Sequence, residues 1–135
     1  MLSKASTTTM LPVADVERAS RFYAEMLGLH LRTTAGDGSP IFDAGHGDGI
    51  GLMKAEAGAQ SAHTVLSFEV ADITAEIRDL EGRGVVFEDY DLPDLKTVNH
   101  IAAMGDERAA WFRDTEGNIL CVHETLGTMQ AEYQL

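Results

Sequence analysis

The segments LPVADVERASRFYAEMLGL, from Leu11, and FEVADITAEIRDLEGRGVVF, from Phe68, share a Val-Ala-Asp step and the pattern around it. Val13 and Val70 stand 57 residues apart. In each copy a β-rich run, TTTMLPV or TVLSFEV, leads to an aspartate. Asp15 and Asp72 can accept hydrogen bonds from free backbone N–H groups and so start a helix. Val16, Ala19, Phe22, Tyr23, Met26 and Leu27 then recur at three- and four-residue steps, as do Ile73, Ile77 and Leu80. Each copy therefore predicts one amphipathic helix. The helices stop at Gly28 and at Gly82 or Gly84, where a left-handed cap costs little. LHLRTT and VVFEDY come next as strands.

The parallel continues downstream. DGIGLMK and EGNILCV align so that Gly49 matches Gly117 and Met53 matches Cys121. SPIFDAGHGDG and RAAWFRDTEGN each read as a strand and a turn, closing a hairpin with the next strand. The order is βαβββ, twice. Each copy must bury one sheet face under its helix. The expected fold class is α+β, with paired βαβββ modules forming curved mixed sheets around a cup-shaped cavity. Module one is expected over about residues 5–57, module two over about 62–125, and a C-terminal tail over 126–135. In the tail Leu126, Met129 and Tyr133 lie at helical spacing, as in a short helix or a packing arm. Residues 91–107, DLPDLKTVNHIAAMGDE, have no first-half counterpart and read as a strand and a covering loop.

Charge excludes some functions. With 22 acidic and 10 basic residues the net charge is -12. Nucleic acid and anionic membranes both demand the opposite sign. The field serves solubility and would draw in a cationic ligand. No apolar run approaches the roughly 20 residues that span a bilayer. MLSKASTTTM lacks the apolar stretch of a secretory signal. One cysteine makes no internal disulfide, so the expected compartment is the cytoplasm.

LPVADVERASRFYAEMLGL, VADITAEIRDLEGRGV and AAWFRDTEGNILCVHE together resemble the vicinal oxygen chelate superfamily, which includes glyoxalase I, extradiol dioxygenases, and fosfomycin- and bleomycin-resistance proteins. The resemblance spans roughly Thr7 to Glu124. It implies a homodimer. It also implies a divalent metal held by His and Glu from four symmetry-related strand positions, stabilising an oxyanion or enolate. Carried onto this chain, those positions are Thr8, Met53, Val65 and Cys121. None is His, Asp or Glu, the types that hard or borderline divalent ions need.

Three other arrangements keep reactive chemistry open. His63 and His123 lie two residues from Val65 and Cys121, on the same strand faces by alternation, and with His100 could hold a relocated zinc. Cys121 and Met53 offer sulfur to a soft metal. Cys121 and His123 could pair as nucleophile and base, although an i, i+2 strand spacing separates them by roughly 7 Å. GHGDGIG resembles a phosphate loop but runs into a strand, so it reads as a hairpin turn. Trp111 and Tyr90 are candidates to stack on a planar ligand. The acidic run FEDYDLPD is a solvated edge or a site for a cation. The expected function is metal-independent, cofactor-free binding of a small, cationic or aromatic molecule, sequestering a drug or natural product. The alternatives are a glyoxalase-like lyase or isomerase, or a dioxygenase-related enzyme, with moved ligands or acid–base residues such as Glu124, and a non-catalytic ligand sensor. The expected ligand-cavity residues are Thr8, Met53, His63, Val65, Tyr90, His100, Trp111, Cys121 and His123.

Overall fold

The computed structural model describes residues 1–126, so the expected tail helix or arm lies outside the described residues. The chain forms two compact units. One comprises Met1–His63 and the turn Asp114–Asn118; the other comprises Thr64–Arg113 and the described residues from Ile119 to Leu126. The architecture is mixed α+β with few helices and curved, unclosed sheets. Among the described residues no helix is long and apolar enough to cross a membrane.

In the first unit, β1 (Thr8–Val13) leads into α1 (Val16–Arg21), followed by β2 (Leu31–Thr34), β3 (Pro40–Asp43) and β4 (Gly49–Lys54). The sheet order is β1-β4-β3-β2, parallel only between β1 and β4. Asp15 caps α1 by accepting from Arg18 N–H at 3.0 Å. The expected single helix is in fact α1 followed by a wider π-helical turn, Phe22–Met26, where Leu27 N–H reaches the Phe22 carbonyl at 3.1 Å. Two consecutive aromatics, Phe22 and Tyr23, are buried there, with their rings edge to face at 5.3 Å. Gly28 then takes a left-handed φ of 71°.

The turn Asp114–Asn118 is tied to the rest of this unit by polar contacts, the one to Tyr23 buried. Glu116 Oε1 accepts from the backbone N–H groups of Ala14 and Asp15, at 3.0 and 2.9 Å. Arg18 donates to both oxygens of Glu116, at 2.8 and 3.0 Å. The Asp114 carboxylate accepts from the Tyr23 hydroxyl at 2.7 Å, and the Asn118 amide donates to the Pro12 carbonyl at 3.0 Å. Burial, then the Asp114 charge, push the Tyr23 hydroxyl's pKa well up.

The second unit runs β5 (Thr64–Glu69), α2 (Ile73–Gly82), β6 (Phe87–Glu88), β7 (Asp91–Leu92), β8 (Leu95–Lys96), β9 (Ala102–Met104), β10 (Glu107–Arg113) and β11 (Ile119–Thr125). Its main sheet is ordered β5-β11-β10-β6, with β9 also pairing β10. Asp72 caps α2 through Ala75 N–H at 3.1 Å. VVFEDY yields only the two-residue β6. Residues 91–107 are more structured than a strand and a loop. β7 and β8 make a small hairpin. Val98 and Ile101 then bridge across a two-residue turn in which Asn99 (φ 53°) and His100 (φ 71°) are both left-handed. Two positive φ values in succession are what a tight hairpin turn requires.

The ionised Glu116 side chain is fully covered while Arg18 is half exposed. The Arg18 hydrogen bonds lower the Glu116 pKa to about 2 from 4.5, against the upward push of burial. A depressed carboxylate contributes stability above its unfolded pKa and loses it as pH falls through the folded one. Glu116→Gln should therefore cost about 1–3 kcal/mol near pH 7. In urea melts across pH, the gap between variant and parent should close as pH falls from about 5 toward 2. A gap independent of pH would refute the assignment.

Candidate functional site

Strand pairing sorts the second unit's side chains onto two faces. Leu66, Leu120, Phe112 and Phe87 form one cross-strand row. With Phe68, Val122 and Ala110, that row makes the face under α2, where Ile73, Ile77 and Leu80 are buried. The opposite face is open. Its middle row runs Ser67, Cys121, Trp111 and Glu88, one residue from each of β5, β11, β10 and β6.

That row brings several expected residues together. The Tyr90 and Trp111 rings meet edge to face at 5.7 Å. The Tyr90 hydroxyl donates to Glu88 Oε2 at 2.6 Å, and Arg113 Nε donates to Oε1 at 2.5 Å. Burial pushes the Glu88 pKa up, but these two donors outweigh it and hold the carboxylate below its ordinary range. Burial and the Glu88 bond in turn raise Tyr90 to about 12. Trp111 Nε1 donates to Thr64 Oγ1 at 3.2 Å. Cys121 lies beneath, 5% exposed. Burial pushes its thiol pKa up, more than contact with the Ser67 hydroxyl lowers it. The thiol is thus protonated at neutral pH, and the thiolate is the form that ligates metals and attacks electrophiles.

Thr64, Ser67, Glu88 and Arg113 were not singled out from the sequence. Ile119 pairs with Thr64 but Leu120 with Leu66, so the ladder is irregular at Val65. One extra residue shifts the alternation, which places Thr64 beside Trp111 while Val65 is the half-buried extra residue. Glu88 could have been found in FEDYDLPD, two residues before Tyr90 on an extended run. Its place beside Trp111 depends on a long-range register that no local pattern displays.

In the first unit Thr8 pairs Gly49 and Met53 pairs Pro12, at opposite ends of the β1–β4 ladder. Both are exposed, Met53 at 41%. Between them lies Gly51, where an added Cβ would stand 2.5 Å from Met10 Sδ and 2.8 Å from Ile41 Cδ1. A side chain there would displace the ends of Met10 and Ile41.

The histidines are dispersed. His123 Nδ1 meets Ser67 Oγ at 2.6 Å, and its Nε2 lies 3.6 Å from Glu69. The Ser67 hydroxyl thus contacts both the imidazole and the thiol. His100 lies 2.9 Å from Asp89 and 3.3 Å from Glu81, stacked on Phe87 of the helix-covered face. Exposed His63 precedes β5. Among the described residues no three His, Cys, Asp or Glu side chains are gathered to hold a metal. The four strand positions offer a hydroxyl, a thioether, an isopropyl group and a protonated thiol. That donor set does not fit the divalent metal implied by the resemblance. Glu124 is 6% exposed, and its carboxylate accepts from Ile73 N–H at 2.9 Å, so it anchors the start of α2.

The family model described as Glyoxalase/Bleomycin resistance protein/Dioxygenase superfamily matches residues 6–122. A superfamily member from Sphaerobacter thermophilus superposes with TM-score 0.72 at 22% identity, covering 92% of this chain and 99% of that one. TnmS3, an antibiotic binding protein from Streptomyces sp. CB03234, gives 0.66 at 20%, covering 93% and 99%. A point mutant of the fosfomycin resistance protein FosX from Listeria monocytogenes, complexed with Mn(II) and 1S,2S-dihydroxypropylphosphonic acid, gives 0.67 at 18%, covering 98% and 99%. No curated protein sequence matches.

A buried, protonated thiol should resist modification. Cys121 should react with Ellman's reagent at pH 8 on the order of 100-fold more slowly in the native protein than after unfolding in guanidinium. A rapid native burst would mean an accessible thiolate and restore nucleophilic chemistry.

Proposed function

This chain belongs to the glyoxalase/bleomycin resistance protein/dioxygenase superfamily, and from that premise we propose that it binds and sequesters a planar, cationic drug or natural product without a metal. The observation that carries this reading is the row Cys121–Trp111–Glu88 on the open face, with Tyr90 edge-on to the indole. Two aromatic rings provide a stacking wall. The Glu88 carboxylate beside them is paired with Arg113, so attraction for a cation comes from the ring faces and the net charge. A thiol kept neutral by burial adds apolar floor. The net charge of -12 favours the approach of cations. The likeness to TnmS3 supports sequestration of a natural product. The ligand set at Thr8, Met53, Val65 and Cys121 argues for metal independence. The active form is a homodimer and its compartment the cytoplasm; light scattering should give twice the chain mass.

Trp111 is the only tryptophan, so its fluorescence reports on this face directly. Titration with 9-aminoacridine, a planar cation, should quench it saturably, and neutral anthracene should bind more weakly. Trp111→Phe preserves a ring, whereas Trp111→Ala should weaken binding about 10- to 100-fold by calorimetry. Dialysis against EDTA, or addition of Mn(II), Ni(II) or Zn(II), should leave affinity unchanged. Loss of binding on chelation, restored by one of these ions, would overturn metal independence.

A further inference from the structure

The opposite side of the second unit holds a cavity unrelated to the Trp111 face. It is an open groove of about 550 Å³ between α2 and the segment running through β8 and β9. This is within the range of small-molecule sites, roughly 300–1,000 Å³. Ile77, Val98, Ile101 and Ala103 give it apolar walls, and Thr74 and Asn99 add polar groups. Lys96 and Arg108 stand on the same lining. Arg78 lines the continuation of the groove along α2.

Three of the ten basic residues of an acidic chain thus surround one groove. Arg108 has an obvious partner that it does not use. Its cross-strand neighbour is Glu124, but that carboxylate is buried and accepts from Ile73 N–H at the start of α2. Neither Arg108 nor Arg78 has an ion pair or hydrogen bond among the described residues. Lys96 has only a loose contact with Asp91 at 3.8 Å, where both side chains are mostly exposed; such pairs hold little. At the far end Glu81 is engaged by His100, which also pins the Asn99–His100 turn to Asp89. In the first turn of α2, the N–H groups of Ile73 and Ala75 are taken by Glu124 and Asp72, whereas that of Thr74 has no acceptor among the described residues.

We propose that this groove is a second ligand site, specific for a small amphipathic carboxylate. The apolar chain would lie along Ile77, Val98, Ile101 and Ala103. The carboxylate would take the donors of Arg108, with Lys96 beside it. A guanidinium presents two parallel N–H groups that match a carboxylate, and it binds more strongly where the surroundings are apolar. Residues 91–107 thereby gain a role, because they build the groove's outer wall. The charge preference is opposite to that of the Trp111 face, so one molecule can carry both ligands.

The test uses octanoate, with octanamide and octylammonium as neutral and cationic analogues of equal chain length. Methyl resonances of Val98, Ile101 and Ala103 should shift saturably with octanoate. Octanamide should bind at least about 10-fold more weakly, and octylammonium should not bind there, as expected if the charge-assisted bond directs binding. Arg108→Gln should weaken octanoate at least about 10-fold, while 9-aminoacridine quenching of Trp111 stays unchanged. Ala103→Phe fills the groove without altering its charge and should abolish the shifts; circular dichroism confirms that each variant is folded. Equal binding of octanamide, or no effect of either variant, would overturn the proposal. So would shifts confined to the neighbours of Trp111. Failure of acridine binding alone would refute the function proposed above and leave this site standing.

Discussion

Helices α1 and α2 each begin on a carboxylate that comes from far along the chain. The Val-Ala-Asp step turns the backbone out of a strand and leaves N–H groups without partners as α1 starts. Glu116, about a hundred residues on, accepts two of them, and Glu124 does the same for Ile73 as α2 starts. A buried N–H without an acceptor costs more than an ordinary hydrogen bond gains. The position of α2 over its sheet therefore depends on Glu124, since Ile73 N–H is buried, whereas the two N–H groups held by Glu116 are less covered. In the first unit the same turn reaches inward: the π-helical turn after α1 delivers Tyr23 to the core, where its hydroxyl donates to Asp114.

The internal repeat made most of this legible. Both aspartate caps, both helix starts, the hairpins ending in β4 and β11, and the inward aromatics Phe22 and Tyr23 follow from period and turn chemistry. Less visible was whatever depends on pairing between distant residues. VVFEDY has the composition of a strand, yet only Phe87 and Glu88 find ladder partners on β10. The π-helical turn at Phe22 preserves the three- and four-residue spacing closely enough to read as continuous helix. Tyr90, Trp111 and Cys121 were singled out individually, but their meeting with Glu88 and Thr64 rests on the β6–β10 register and on the irregularity at Val65. A single added residue inverts alternation for the remainder of a strand. The hydroxyl that reaches Trp111 therefore belongs to Thr64, next to Val65.

Cys121 shows how the residue type at one position changes the charge of a sheet face. A glutamate at the centre of an open sheet face would remain charged only with a cation beside it, because burial of an unpaired carboxylate is expensive. A thiol avoids that penalty by keeping its proton, which burial favours here. The charge on the face then moves to its edge, where Glu88 has donors on both oxygens. The row combines an apolar floor, an aromatic wall and a peripheral Glu88–Arg113 ion pair. The donors on this row, the Tyr90 hydroxyl and the Arg113 guanidinium, are both turned to Glu88.

Strand alternation is sufficient cause for the two preferences of opposite sign proposed for the second unit's sheet. Along β10 the odd-numbered residues Ala109, Trp111 and Arg113 share the open face, while the even-numbered Arg108, Ala110 and Phe112 lie toward α2. Arg113 is neutralised by Glu88 on its own face. Arg108 cannot be neutralised in the same way, because Glu124 beside it is committed to the α2 start. Moving Glu124 to satisfy Arg108 would strip Ile73 N–H of its acceptor. The helix anchor thus leaves an arginine facing a groove, and a chain rich in carboxylates keeps a place for a carboxylate supplied from outside.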